Sequence, residues 1–87
     1  MIPTRPIRVL IADDHALFRR GLRFVLNEAS DIEIIGEASD GLQAVNLVQE
    51  LNPDVVLMDV RMPRQNGIVA TEKIMAEAPE IKVLMLS

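Results

Sequence analysis

The sequence predicts an α/β domain built on an open parallel sheet with helices on both faces. Two patterns and the chain length carry that prediction. Short β-branched apolar runs alternate with stretches whose apolar residues recur at helical spacing. Most of those runs are apolar at nearly every position, as strands buried on both faces must be. The chain has 87 residues, which is one domain or part of one.

The elements follow in order. Ile7 to Ala12 reads as the first strand, after a short disordered or extended lead-in at Pro3 and Pro6, and it halts at Asp13-Asp14. In the first helix Leu17, Gly21, Leu22, Val25 and Leu26 share one side, with Arg19, Arg20 and Arg23 on the other. Residues 27–31 break it. Ile32 to Ala38 is the second strand, and its charged alternate positions mark an edge. Asp40 caps the next helix, with Gln43 in the capping-box position. Leu42, Val45, Val48 and Leu51 line one side of that helix, and Asn52-Pro53 ends it. The third strand lies within Asp54 to Asp59, and Met62 to Gly67 is turn chemistry. A third helix runs from Ile68 to Ala78, stopped by Pro79, and Ile81 to Ser87 is a fourth strand. If the strand order is 2-1-3-4, right-handed crossovers put the first helix on one face and the other two opposite. One face is then thinly covered, and the fourth strand is an apolar open edge.

Composition narrows the function. Hydrophobic residues make up 49% and charged residues 25%, which suits a folded domain and not a disordered tail. The net charge of −4 argues against sequence-independent nucleic-acid binding, which needs a basic surface. With no Cys there is no disulfide, thiolate metal site or Cys nucleophile. No Trp, no Tyr and two Phe leave no platform for stacking bases. No apolar run is long enough to span a membrane, and the first six residues lack the core of a signal peptide. The expected location is the cytoplasm, with no membrane partner.

Open parallel sheets hold their sites beyond the carboxyl ends of the strands, where strand order reverses. In a 2-1-3-4 sheet that point lies between strands 1 and 3. Asp13 and Asp14 end the first strand and Asp59 ends the third. Clustered carboxylates repel one another unless protons or a cation compensate, and a hard divalent ion, Mg²⁺ or Mn²⁺, suits them. A lone Asp after a strand is ordinarily a turn former or a helix cap. Three at one switch point favour a site. The first strand is followed by no Gly-rich phosphate loop, which disfavours Rossmann or P-loop nucleotide binding. His15, the sole histidine, has no evident partner nucleophile and is expected to begin the first helix on the surface. Met58, Met62, Met75 and Met85 read as filler, not a soft-metal site. Gly67 reads as a point of close approach or of permissive backbone at the start of the third helix.

Asp13-Asp14-His15, Leu17 to Leu22, Asp40-Gly41, Asp54 to Pro63 and Asn66-Gly67 together resemble a bacterial two-component response-regulator receiver domain. The likeness spans residues 7 to 87. It is strongest to receivers that precede a LuxR-type helix-turn-helix domain, the nitrate/nitrite and nitrogen-fixation regulator type. The resemblance implies a flavodoxin-like (CheY-like) fold of order 2-1-3-4, here stopping before helix 4, strand 5 and helix 5. It implies that residues 1–87 are an incomplete receiver whose DNA-binding domain lies elsewhere. By the same resemblance Asp59 is the phosphoacceptor for a sensor histidine kinase. Asp14, Asp59 and the backbone carbonyl of Arg61 ligate Mg²⁺, and Asp13 holds it through water. Ser87 is the switch hydroxyl. The family's strand-5 lysine has no counterpart, since Lys73 and Lys82 lie elsewhere.

The arginine stripe reads equally as a solvated face or a kinase dock. Two other functions remain open on sequence. One is a Mg²⁺-dependent phosphotransferase or phosphatase with an Asp nucleophile, although the second acid such enzymes carry two residues on is Arg61 here. The other is a truncated receiver serving only as a dimerisation module. The apolar open edge makes a homodimer the expected assembly.

Overall fold

Strands and helices alternate strictly along the chain in the computed structural model, which describes residues 5–86. They are β1 (Ile7–Ala12), α1 (Ala16–Leu26), β2 (Ile32–Ala38), α2 (Gly41–Leu51), β3 (Val55–Asp59), α3 (Gly67–Glu77) and β4 (Lys82–Leu86). Every strand pair is parallel and the order is β2-β1-β3-β4, as the sequence predicts. Pro3 and Ser87 lie outside the described residues, and with them the first part of the expected lead-in and the switch hydroxyl.

The inner strands are apolar because α2 and α3 cover one face of both, and β1 is buried on its other face too. Val55 and Leu57, on the second face of β3, are only partly covered. Leu10, Ile11, Val56 and Met58 are fully buried. One side of the sheet packs Leu10, Ala12, Val56 and Met58 against α2 and α3, where Ala44 and Ala70 bring the helices close. Alternation along β1 turns Val9 and Ile11 to the opposite side, and both are buried there. The β1–β2 pairing slips by one residue between Val9 and Leu10, so Ile35 is an extra residue in β2.

Polar contacts set the helix ends. Asp40 Oδ1 accepts from the backbone N–H of Gln43 at 2.8 Å, as a capping residue should. The Gln43 side chain reaches back to the N–H of Ser39, not Asp40, so the box closes one residue early. Asn52 ends α2 in the left-handed conformation at φ 50°. The Arg8 guanidinium then donates to the free carbonyls of Leu51 and Asn52, each at 2.7 Å. Asn66 caps α3 by accepting from the N–H of Val69.

Two expectations are corrected. The α1 stripe was expected inside and its arginines outside, yet Leu17 is 80% and Val25 64% exposed. Arg19 and Arg23 instead turn toward β2 and grip Glu37 at 3.0 and 2.8 Å. Among the described residues nothing packs on the apolar side of α1, so ion pairing and the half-buried Leu22 and Leu26 hold the helix. In α2 the buried stripe is Ala44, Val45 and Val48, while Leu42 faces outward.

Candidate functional site

The carboxyl ends of β1 and β3 are adjacent, and strand order reverses between them. The N–H of Asp13 still bonds to the carbonyl of Ala38 at 3.0 Å, so the pairing with β2 carries one residue beyond β1. This buries Asp13 to 4% exposure at the floor of the crevice. Asp14 stands open to solvent above it, and Asp59, the last residue of β3, is half-buried. One ligand atom each from Asp13, Asp14, His15 and Asp59 lie within 4.8 Å of one another. Three predicted site residues therefore meet at the predicted switch point. A cleft of about 310 Å³, walled also by Phe18 and Leu86, opens onto Asp13 and Asp59. A second, of about 460 Å³, runs from Asp14 past Arg61 and Met62.

The backbone N–H of Arg61 lies 3.4 Å from Asp59 Oδ1, so the chain turns back over the carboxylate directly after β3. Two features hold that turn. The buried Met62 side chain anchors it in the core. The N–H of Gly67 bonds to the carbonyl of Val60 at 2.8 Å, and a Cβ on Gly67 would fall on the carbonyl oxygen of Asp59. Of the two readings the sequence offers for this glycine, the structure selects close approach, since its φ is not positive.

Sequence reasoning missed two parts of the site. His15 does begin α1 on the surface, but its Nδ1 also lies 3.1 Å from Asp13 Oδ1 and 3.0 Å from Asp14 Oδ1. Its backbone N–H donates to Asp13 Oδ1 at 2.7 Å, fixing that carboxylate. Arg19, read as part of a surface stripe, donates to the backbone carbonyl of Asp13 and to Glu37. It thereby pins the end of β1. Burial pushes the Glu37 carboxyl up, but the Arg23 and Arg19 guanidiniums outweigh this and hold it below its usual value. Glu37 stays charged and keeps both arginines in place. An arginine one turn into a helix, beside a strand bearing a glutamate, was the available signal.

Closely grouped carboxylate oxygens, one buried and the others reachable by water, match what a hard divalent cation requires. The cluster can hold such an ion. The family model described as the response regulator receiver domain matches residues 9–87. The chain belongs to that family. As a receiver it is the signal-accepting part of a two-component system. It is 44% identical over 81 residues to the transcriptional regulatory protein DegU of Brevibacillus brevis, covering 93% of this chain and 34% of that protein. To the transcriptional regulatory protein LiaR of Bacillus subtilis it is 49% identical over 81 residues, covering 93% and 38%. Among solved structures, the response regulator domain of Thermotoga maritima CheB superposes with a TM-score of 0.89 at 44% identity, covering 93% of this chain and 60% of that one. This receiver has the CheY-like arrangement, and it spans little more than a third of the two regulators.

Proposed function

We propose that this receiver accepts a phosphoryl group on Asp59 from the phosphohistidine of a sensor kinase. Transmission to a DNA-binding domain of the same protein is part of the reading. The meeting of Asp13, Asp14 and Asp59 at the β1–β3 switch point carries it. An Asp59 oxygen attacks phosphorus, an O–P bond forms as the N–P bond breaks, and the electron pair returns to the leaving imidazole. Three carboxylates repel an incoming phosphoryl group, so the reaction needs compensating positive charge. Asp14, Asp59 and the carbonyl of Arg61 would hold Mg²⁺, or Mn²⁺, with Asp13 behind a water. When bound, that ion neutralises the carboxylates and the phosphoryl oxygens.

The protein's own residues do the rest. Arg19 and the His15 N–H fix Asp13, and the turn through Arg61 orients Asp59. Ser87, outside the described residues, would donate from its hydroxyl to the phosphoryl oxygen. A contact available only after modification is what couples modification to a second state. The outcome is one aspartyl phosphate per chain, gained and later lost by hydrolysis with Mg²⁺ assistance, without turnover of a separate substrate, so the receiver is not itself an enzyme. Among the described residues no helix is long and apolar enough to cross a membrane. A cytoplasmic location and a homodimeric output state belong to the same reading.

Incubation with a small phosphodonor tests it through intact mass. The expected result is one phosphoryl group per chain, gained with Mg²⁺ and not after chelation, and retained after the donor is removed. A phosphatase would consume donor without accumulating label. A dimerisation module would neither label nor consume it.

A further inference from the structure

Arg64 and Asn52 are the only non-glycine residues at positive φ among those described. Asn52 is a helix cap, where that conformation is ordinary for asparagine. Arg64, at φ 65°, has no such excuse, because a long L side chain is disfavoured there. Its NH2 lies 2.8 Å from Asp40 Oδ2. Asp40 is nearly buried and spends its other oxygen on the cap of α2, so the pair joins the β3–α3 loop to the start of that helix. The backbone follows the same path. A Cβ on Gly41, the first residue of α2, would fall on the carbonyl oxygen of Gln65. The Gln65 side-chain oxygen is buried without a partner, a further cost of seating the loop there. A strained residue persists only where its surroundings hold it. This one lies in the segment that passes from Asp59 through Arg61 to α3.

We propose that Arg64 is a positioning residue for the phosphoryl site. Its ion pair with Asp40 latches loop 60–66 onto α2 and so fixes the Arg61 backbone beside Asp59. The inference rests on the reading of Asp59 as phosphoacceptor with a bound cation. Arg64 touches no reacting atom and acts through Arg61 alone.

Asp40→Asn is the clean test, because asparagine keeps the cap and loses the charge. Arg64→Met removes the other partner without altering the loop backbone. Three measurements on the full chain are compared with wild type: melting temperature, amide exchange of residues 61–67 without metal, and Mg²⁺ affinity by calorimetry. Either variant should melt near wild type, exchange faster over 61–67, and bind Mg²⁺ about tenfold more weakly, the low end for loss of an outer partner. The double variant should be no worse than either single one. Wild-type exchange and affinity in Asp40→Asn would overturn the latch, as would an affinity loss that merely tracks a lowered melting temperature. If wild type itself neither binds Mg²⁺ nor labels, the site reading fails first, and the latch with it.

Discussion

Asp54 shows how much one carboxylate can organise at the end of the sheet remote from the site. It accepts two bonds from the Arg5 guanidinium, at 2.8 and 3.0 Å, and one from the backbone N–H of Arg8 at 2.8 Å. It thus ties the start of β1 to the start of β3. The Arg5 bonds chiefly, then the Arg8 N–H, pull its pKa from 3.8 down to about 2. The folded value lies below the unfolded one, so this contribution to stability is fully present above about pH 4. It is lost as pH falls toward 2. Melting temperatures measured across that window should drop more steeply for wild type than for Asp54→Asn. Parallel curves would show that the carboxylate adds nothing on folding.

At the scale of elements, contacts that tolerate no side chain fix α3 and the loop before it. Gly67 begins the helix with its α-carbon against the Asp59 carbonyl, so the loop has little freedom to lift away. Gly67→Ala must displace backbone, not a flexible side chain. We expect a loss of about 1–3 kcal/mol in chemical denaturation, the usual range for overpacking. Labelling of Asp59 should fall along with it, because the carbonyl in the way belongs to Asp59 itself. Gly21→Ala is the control. It meets open space on an exposed part of α1, and alanine is the better helix former there. It should be neutral or slightly stabilising. Equal stabilities for the two variants would contradict the close approach.

At the scale of the whole molecule, two apolar surfaces stand open among the described residues. Leu17, Phe18 and Val25 project from α1 around a hollow of about 670 Å³. On β4, the free edge of the sheet, Leu84 and Met85 are 55% and 40% exposed. Surfaces like these drive association, and an unpaired strand edge adds hydrogen-bonding groups to it. The 87-residue chain should sediment with a mass that rises with concentration. Leu17→Glu with Leu84→Lys should shift it toward monomer. A monodisperse wild-type monomer at high micromolar concentration would contradict this.

The same scale shows what the sequence made legible. Continuous apolar runs ending in Asp revealed β1 and β3, and with them the place where Asp13, Asp14 and Asp59 meet. Such runs suit strands with apolar residues on both faces, although β3 fully buries only one of its faces and β4 neither. The α1 stripe misled because periodicity says which residues share a face, not whether anything packs on it. Arg19 and Arg64 were missed for a related reason. Their partners, Glu37 and Asp40, lie in other elements, and only the folded chain brings them within reach. The Ile35 bulge left no mark in a strand whose apolar pattern was already irregular.

The central claim is that one of three neighbouring carboxylates takes the phosphoryl group. Peptide mapping after labelling with a small phosphodonor and Mg²⁺ tests it most directly, if wild type and Asp59→Asn are treated alike. The substitution is nearly isosteric and relieves like-charge repulsion, so the variant should fold and melt no lower than wild type. The account predicts label on Asp59 alone in wild type, and none in the variant. Label on Asp13 or Asp14 in wild type, or undiminished incorporation by a folded Asp59→Asn chain, would contradict it.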